Sequence, residues 1–176
     1  MQFGAKMPAM QRDEPKHQLI IEESPLGPIR LVASVKGLRG LYLNEKSNKA
    51  SIDKGGMEAT DEIRILEQAA RELREYFAGE RQAFSVPLDP QGTEFQQKVW
   101  KALSKIPFGN TCSYRDVAAE IKNEKAFRAV GSANGKNPIC IIVPCHRVIA
   151  ADGTLGGYSG GLHHKTALLE LERRTA

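Results

Sequence analysis

RAVGSANGKNPICIIVPCHRV, residues 128–148, is the stretch of sequence that decides the fold. Its first part is rich in small residues and ends at Gly135, which is typical of a short helix closed by a glycine. The pair NP at 137–138 stops that helix, and the apolar run ICIIV at 139–143 predicts a buried strand. The strand leads directly into PCHRV, residues 144–148. The sequence therefore predicts that a helix and a strand together place a cysteine beside a histidine.

Cys145 is the best candidate in the chain for a chemical role. Its neighbours His146 and Arg147 have the positive character that favours a thiolate. Burial raises the pKa of a thiol, so a buried nucleophilic cysteine needs a base to take its proton, and His146 can be that base. The second ring nitrogen of His146 then needs a partner. Glu170 and Glu172, in the last predicted helix, are the acidic candidates.

The other cysteines, Cys112 and Cys140, are expected to be small buried core residues, the commoner role of a free cysteine. Three cysteines do not make a disulfide framework, so a reducing cytosolic or nuclear compartment fits best. Zinc binding is the competing use of cysteine and histidine. However, the chain has no C-x-x-C, its histidines are scattered at positions 17, 146, 163 and 164, and a zinc site needs three or four convergent ligands. We therefore expect no metal.

Two short helices are predicted around the start of residues 128–148. Ser113 is followed three residues later by Asp116, a capping-box-like start for a helix that reaches Ile121. A tight turn at 122–123 leads to a second helix over about 124–134. This arrangement predicts a helix-turn-helix, with an ordinary helical hairpin as the alternative. The pattern alone does not decide between the two.

The second helix of this pair carries small side chains on its surface. Among them Arg128 is the one long side chain, whereas a helix that reads the major groove needs several. A helix of small residues can bring its backbone close to DNA in the minor groove, although close helix packing selects the same residues. Charge favours a polyanionic partner, since residues 91–176 contain 12 basic and 7 acidic side chains and residues 1–90 contain 13 and 14. The small residues are Ala126, Ala129, Gly131, Ser132 and Ala133.

The N-terminal part of the chain predicts a small antiparallel sheet. Residues 17–43 have the pattern of short strands, with turns at 24–27 and 36–37. The inward positions of the middle strand are expected to be Leu31, Ala33 and Val35.

An amphipathic helix is expected to cover this sheet. Thr60 can cap it, its apolar positions run to Phe77, and Gly79 closes it. The segment SVPLDPQGT at 85–93 then marks the best domain boundary. We predict an α/β (α+β) fold with an N-terminal structural domain at 1–90, of which 1–16 is disordered, and a mostly helical C-terminal domain at 91–176. Nothing before the boundary has the character of a catalytic residue.

Composition excludes several classes of protein. The chain has 176 residues, which is short for a large multi-domain enzyme. Its mean hydropathy is −0.38, and no apolar run approaches the ~18 residues of a transmembrane helix. The N-terminal residues lack the apolar segment of a secretory signal. We therefore expect no association with a membrane.

At this point the motifs match a known family. RAVGSANGKNP, IIVPCHRVI, GGYSGG and K-x-x-LLELE together resemble the O6-alkylguanine-DNA alkyltransferases, also called methylated-DNA–protein-cysteine methyltransferases. The resemblance extends through FQQKVW, IPFG and SYRDVA, and covers nearly all of residues 93–172. The segments SPLG and EYFAG agree with the family more loosely. No single motif is decisive, but the order PCHRV behind an RAVG helix is very specific.

The resemblance implies a catalytic role for four residues. Cys145 corresponds to the acceptor of the alkyl group, and His146 to its base, which acts through a water. Glu172 corresponds to the carboxylate that orients the imidazole. Tyr114 corresponds to a tyrosine that crowds the 3′ phosphate and donates a proton to the departing guanine.

The resemblance also implies a DNA surface and a base pocket. Arg128 corresponds to the finger that fills the gap left by the flipped nucleotide. Asn137 corresponds to the residue that braces the turn after the recognition helix, and the backbone of Val148 to an acceptor for the guanine amino group. The remaining DNA-binding positions are Ser113, Tyr114, Ala126, Ala129, Gly131 and Ser132, and the remaining pocket positions are Gly156, Gly157, Tyr158, Ser159 and Lys165.

The implied function is irreversible, single-turnover transfer of an alkyl group from O6-alkylguanine to Cys145 after base flipping, with O4-alkylthymine as a further candidate substrate. The resemblance implies no cofactor, and only His17 is present of the N-terminal ligands that some members use for zinc. The expected partner is double-stranded DNA containing O6-alkylguanine, bound by a monomer in the cytoplasm, or in the nucleus of a eukaryote.

Three other functions compete with this one. A non-catalytic alkyltransferase-like lesion-binding protein lacks the acceptor cysteine, so the presence of Cys145 argues against it. A helix-turn-helix transcription regulator needs long base-reading side chains or an added dimerisation segment. A Cys–His hydrolase leaves the DNA-binding half without a purpose.

Overall fold

The computed structural model of the protein describes residues 17–43 and 60–176. Its α/β architecture, a small antiparallel sheet followed by a mostly helical remainder, confirms the predicted fold class. The disorder predicted for residues 1–16 lies outside the described residues. In chain order the elements are β1 (His17–Ile21), β2 (Ile29–Ser34), β3 (Gly37–Leu43), α1 (Asp61–Phe77), α2 (Glu94–Leu103), β4 (Cys112–Ser113), α3 (Tyr114–Glu120), α4 (Phe127–Gly135), β5 (Val148–Ile149) and α5 (Leu162–Thr175).

The sheet is antiparallel with β2 in its centre, paired to β1 on one side and β3 on the other. The first turn falls where the sequence predicts it, and the second lies one residue earlier, at residues 35–36, because Gly37 already begins β3. Leu31 and Ala33 are completely buried, as expected for inward positions. The expectation for Val35 is wrong, because this residue lies in the two-residue turn between β2 and β3 and is 60% exposed.

Helix α1 covers the sheet. The side chain of Thr60 accepts a hydrogen bond from the backbone N–H of Ile63, so the predicted cap is present. Gly79 follows the helix with φ of 77°, a left-handed conformation that glycine adopts without strain. The buried face of α1 packs on β1, β2 and β3 and consists mainly of Ile63, Leu66, Ala69, Ala70 and Leu73.

One buried residue of α1 is an acid. The carboxylate of Glu72 accepts hydrogen bonds from the backbone N–H groups of Ser85 (2.9 Å) and Val86 (3.2 Å) and from the hydroxyl of Ser85 (2.5 Å). The side chain of Gln68, one turn earlier, donates at 2.9 Å. Glu72 therefore binds α1 to residues 85–86, where the segment that links the two halves of the chain begins.

Helices α3 and α4 are the two short helices that the sequence predicts. At the start of α3, Ser113 and Asp116 form a reciprocal capping box, with N–H to side-chain oxygen distances of 2.7 and 3.2 Å. Lys122 makes the tight turn with φ of 57°. The α-helix then begins at Phe127 rather than at 124, because residues 124–126 form a 3-10 turn for which Asn123 supplies no side-chain cap.

The run ICIIV is buried but does not form the predicted strand. Only Ile139 makes a β-bridge, to Leu41, and the following residues form tight turns. Ile141 has φ of 74°, which is rare and costly for a β-branched residue. The side chain of Asn137 stabilises this geometry, since its Nδ2 donates to the carbonyl of Val143 (2.8 Å) and its Oδ1 accepts from the N–H of Ile139 (3.0 Å).

The apolar core continues across the predicted domain boundary. Buried residues of the sheet, of α1, of α2–α4 and of the turn before Cys145 belong to one cluster. Backbone contacts also cross it, because the N–H of Leu41 donates to the carbonyl of Pro138 at 2.8 Å. The N-terminal half therefore packs directly behind the turn that holds Cys145. In the described residues, no helix has the length and apolar character needed to span a bilayer.

Candidate active site

Cys145 begins a single 3-10 turn, Cys145–Arg147, that follows the buried turns of residues 139–143. Its side chain is 1% exposed. Burial raises the pKa of the Cys145 thiol, and the nearby Asn137 amide, Lys165 ammonium and Tyr158 hydroxyl offset only part of that increase. The resting thiol is therefore protonated and needs a base before it can act as a nucleophile.

His146 is completely buried next to this thiol. Its Nε2 lies 2.7 Å from Oε1 of Glu172, so the carboxylate orients the ring and accepts its N–H. The opposite nitrogen, Nδ1, is buried and makes no hydrogen bond with any described residue. Burial lowers the pKa of His146, so the imidazole is neutral and Nδ1 carries the free lone pair of a base.

Glu172 receives donors from three further parts of the chain. The guanidinium of Arg147 binds it through Nε (2.9 Å to Oε2) and a terminal nitrogen (2.9 Å to Oε1), the backbone N–H of Gly109 donates at 3.1 Å, and the hydroxyl of Tyr76 donates at 2.8 Å. Burial opposes ionisation of Glu172, but hydrogen bonds from His146 and Arg147, together with the charge of Arg147, lower its pKa to about 2. The alternative acid, Glu170, is exposed on another face of α5.

The charge of Arg147 does not act on the thiol in the way the sequence suggests. Its guanidinium binds Glu172 and the carbonyl of Ile106, at 2.6 Å, and it lies over the ring of Phe108. The positive charge that lowers the pKa of Cys145 comes instead from Lys165.

Lys165 is a buried lysine that joins two walls of the site. Its ammonium donates to the carbonyl of Val148 at 2.6 Å and also to the carbonyl of Leu155. Burial lowers the pKa of this amine. The carbonyl of Val148, predicted to bind the guanine amino group, therefore already accepts one hydrogen bond and retains its second lone pair.

Tyr114 lies between α4 and the loop that begins at Gly156. Parallel pairing of β4 with β5 places the start of α3 beside the strand that follows Cys145. A Cβ on Gly131 would lie 3.8 Å from the Tyr114 ring, and one on Gly156 would lie 3.0 Å from its hydroxyl. Gly156 therefore makes room for the tyrosine, whereas a side chain at Gly131 would only touch its ring.

The outer face of α4 has the surface that the sequence predicts. Arg128, Ala129 and Ser132 are exposed, whereas Ala126 and Gly131 are partly buried. Ala133, on the inner face, is buried and accepts a hydrogen bond from the Trp100 indole at 2.9 Å. The small residues of this helix thus lie on two faces. Some form a flat exposed surface, and others allow close packing on α2.

The models of two domains from one protein family match the chain, and together they cover nearly all the residues that the structure describes. Residues 17–90 match 6-O-methylguanine DNA methyltransferase, ribonuclease-like domain, and residues 94–174 match 6-O-methylguanine DNA methyltransferase, DNA binding domain. The chain belongs to the 6-O-methylguanine DNA methyltransferase family.

Individual members of the 6-O-methylguanine DNA methyltransferase family agree over most of their length. The methylated-DNA–protein-cysteine methyltransferase of Methanosarcina acetivorans is 50% identical over 152 residues, which are 86% of this chain and 96% of that protein. The crystal structure of Mycobacterium tuberculosis OGT in complex with DNA superposes with a TM-score of 0.78 at 48% identity, covering 91% of this chain and 94% of that one. An O6-methylguanine DNA methyltransferase from Methanococcus jannaschii superposes with a TM-score of 0.60 at 30% identity, covering 88% and 93%.

The other cysteines of this methyltransferase-family chain lie near the site but differ from Cys145. Cys140 is buried, donates to the carbonyl of Leu41 at 3.6 Å, and has its pKa raised by burial. Cys112 is half-buried, and burial raises its pKa to about 11. Neither thiol adjoins a base as Cys145 does.

The remaining predicted pocket positions lie in one loop, residues 156–159. The buried hydroxyl of Tyr158 is close enough to affect the pKa of both Cys140 and Cys145, although it makes no hydrogen bond of good geometry with a described residue. Gly157 and Ser159 are exposed in the same loop. No group of three His, Cys, Asp or Glu side chains that could hold a metal occurs in residues 17–43 and 60–176.

Sequence reasoning missed two donors to Glu172, namely Tyr76 and the backbone of Gly109. Tyr76 lies before the predicted boundary, in the part of the chain where the sequence indicated no catalytic residue, and its hydroxyl contacts Glu172. EYFAG at 75–79 agrees loosely with the family, and this is the only signal in the sequence that points to Tyr76.

Proposed function

We propose that this protein repairs duplex DNA directly by moving an alkyl group from O6 of guanine to Sγ of Cys145. The observation that carries the proposal is a buried thiol followed directly by a neutral histidine whose far nitrogen is fixed by a buried carboxylate. That arrangement supplies a nucleophile and its base, and it lies in the half of the chain that matches the family's DNA-binding domain. The reaction needs no cofactor.

The proposed reaction is one displacement. Nδ1 of His146 takes the thiol proton through a water, and the thiolate sulfur attacks the alkyl carbon. The new bond joins sulfur to carbon, the bond from that carbon to O6 breaks, and its electron pair leaves with guanine. The hydroxyl of Tyr114 supplies the proton that the departing base needs. A thioether is a poor leaving group, so each molecule acts once.

Burial of Cys145 requires that the base leave the helix of DNA. A stacked guanine keeps its O6 out of reach of a thiol that is 1% exposed, so the nucleotide must be extruded at a cost of a few kcal/mol. The surface formed by Ala129, Ser132 and partly by Ala126 and Gly131 lets α4 approach the minor groove without reading sequence. Arg128 fills the gap in the duplex.

The extruded base enters between Tyr114 and the loop of residues 156–160. Asn137 holds the turn that carries Cys145, and Lys165 holds the carbonyl of Val148, which presents its second lone pair to the guanine amino group. Tyr158 and Ser159 line the outer wall of this pocket.

We further propose that the protein acts as a monomer in the cytoplasm on DNA containing O6-alkylguanine, with the boundary near residue 90 dividing a structural half from a DNA-binding half. Relatives named for methylated DNA and the superposition on a relative bound to DNA support the substrate class. The competing lesion-binding function without chemistry predicts that no covalent product forms.

Intact-protein mass spectrometry after incubation with a duplex containing O6-methylguanine tests the proposal. We expect a gain of one methyl group, mapped to the peptide that contains Cys145. Cys145→Ala should abolish the gain while DNA binding persists, because it removes the nucleophile and leaves the surface of α4 unchanged. Cys140→Ala and Cys112→Ala are the matched controls and should still gain the methyl group. Label on either of these cysteines in the Cys145→Ala variant would contradict the assignment.

A further inference from the structure

Tyr76 connects the N-terminal half of the protein to the active site. Its side chain is completely buried, and its hydroxyl donates to Oε1 of Glu172 over 2.8 Å. The same oxygen lies 2.7 Å from Nε2 of His146. We propose that Tyr76 is a positioning residue for the His146–Glu172 pair, a role that rests on the alkyl transfer proposed above.

The ring of Tyr76 is held so that its hydroxyl cannot turn away. Ring centroids of Phe77, Phe84 and Phe108 lie 5.5, 5.4 and 6.0 Å from its own, two of them in edge-on geometry. Phe84 and Phe108 belong to segments outside α1, on both sides of residue 90. The position of the hydroxyl oxygen is therefore fixed by packing from both halves of the chain, and its hydrogen bond to Glu172 directs the O–H.

The hydroxyl of Tyr76 is kept in its neutral, donating form. Burial and the negative charge of Glu172 raise the pKa of Tyr76 well above its ordinary value. Because a buried carboxylate needs its lone pairs satisfied, the neutral O–H supplies one hydrogen bond without adding a charge. His146, two nitrogens of Arg147 and the backbone of Gly109 supply the others, so Glu172 keeps four donors if Tyr76 is replaced by phenylalanine.

Tyr76 and His146 both donate to Oε1 of Glu172. The bond from Tyr76 therefore weakens the hydrogen bond that this oxygen accepts from the imidazole N–H. The charged groups that act on His146 are Glu172, Arg147 and Lys165. Burial, Arg147 and Lys165 lower the pKa of His146, whereas Glu172 raises it. Removal of the Tyr76 hydroxyl leaves Oε1 to His146 alone, so the pKa of His146 should rise. It also removes one of the bonds that fix the carboxylate, so the imidazole should be held less precisely.

The test is the rate of alkyl transfer from O6-methylguanine duplex across a range of pH in Tyr76→Phe. A positioned base contributes roughly a hundredfold or more, and we expect the variant to lose about three- to thirtyfold of this. The acid limb of its pH–rate profile, where the rate falls as His146 takes up a proton, should also move to higher pH. Tyr42→Phe, which removes the hydroxyl of a partly exposed tyrosine on β3, is the matched control and should change neither quantity.

A second measurement separates positioning from packing and needs no substrate. The imidazole 15N chemical shifts of His146 report its tautomer and the strength of its N–H hydrogen bond, and Tyr76→Phe should move them.

In a Glu172→Gln background the same substitution should have no further effect on the rate, because Tyr76 acts through the carboxylate. Lower thermal stability with unchanged 15N shifts and an unchanged acid limb would overturn the proposal. A wild-type protein that transfers no alkyl group would refute the proposed function, while the 15N shifts would still decide the role of Tyr76.

Discussion

Arg128 has a defined resting place on the surface of α4. Its guanidinium carbon lies 5.7 Å from the centroid of the Phe127 ring, and that of Arg115, from α3, lies 5.3 Å from the same centroid. Both distances are within the range of cation–π attraction. The proposed finger is therefore held against the protein next to the small residues of α4.

Replacement of Arg128 by alanine should separate base extrusion from chemistry. Filling the gap in the duplex is worth about 1–3 kcal/mol for one stacking side chain, so repair of duplex DNA should slow by roughly ten- to hundredfold. Free alkylguanine needs no extrusion, and its slower reaction with Cys145 should change little. Arg173→Ala, at an exposed position of α5, is the control for the loss of one positive charge. Equal losses on both substrates would instead assign Arg128 to the fold or the pocket.

At the residue scale, sequence reasoning found the groups that carry chemical character but not all the groups that hold them. His146, which follows Cys145 in the chain, does meet Glu172, the acid that the family resemblance implied and that the residues alone left open against Glu170. Tyr76 could not be found, because its partner lies 96 residues later and an aromatic residue in an amphipathic helix is normally part of the core. The roles of the DNA-binding and pocket residues stay predictions.

At the scale of elements, caps and turns were predicted more reliably than the path of the chain before Cys145. Local hydrogen bonds decide a cap, so Thr60 and Ser113 can be recognised from neighbouring residues alone. The run ICIIV has the composition of a buried strand, and it is buried. Its path is decided by the side chain of Asn137 and by the left-handed Ile141, neither of which the apolar pattern reveals.

Glu72 offers a test of how strongly α1 is joined to the linking segment. Glu72→Ala should leave the N–H groups of Ser85 and Val86 without their acceptor, so it should destabilise the protein by about 2–4 kcal/mol. Glu67→Ala, at an exposed position of the same helix, removes the same charge without these contacts and should change stability by less than about 0.5 kcal/mol. Urea unfolding measures both values. Equal effects would mean that the bonds of Glu72 contribute nothing beyond helix charge.

At the scale of the whole molecule, acid should destabilise the fold in two stages. The pKa of His146 is lowered by burial, so the folded state resists its protonation and stability is lost as pH falls below the ordinary histidine value of about 6.5. The pKa of Glu172 is lowered to about 2, so its contribution is lost between its ordinary value of 4.5 and about 2. Both signs make stability rise with pH across the acid range.

Thermal unfolding between pH 7 and pH 5 isolates the first stage. One proton taken up on unfolding gives a slope of up to about 1.4 kcal/mol per pH unit. His146→Asn should flatten this slope, whereas His163→Asn, at an exposed position, should leave it unchanged. A wild-type protein whose melting temperature is constant from pH 7 to pH 5 would show that His146 titrates alike in the folded and unfolded chains.

The long separation between the groups that meet at Glu172 also has a consequence for the order of events during synthesis. A ribosome makes Tyr76 first, His146 some 70 residues later, and Glu172 another 26 residues after that. The sheet and α1 can fold as soon as they emerge, but the imidazole has no carboxylate to orient it until α5 has been made and has docked. Cys145 is thus without an oriented base throughout the time when the nascent chain is open to other electrophiles, and it acquires one only when the molecule closes around it.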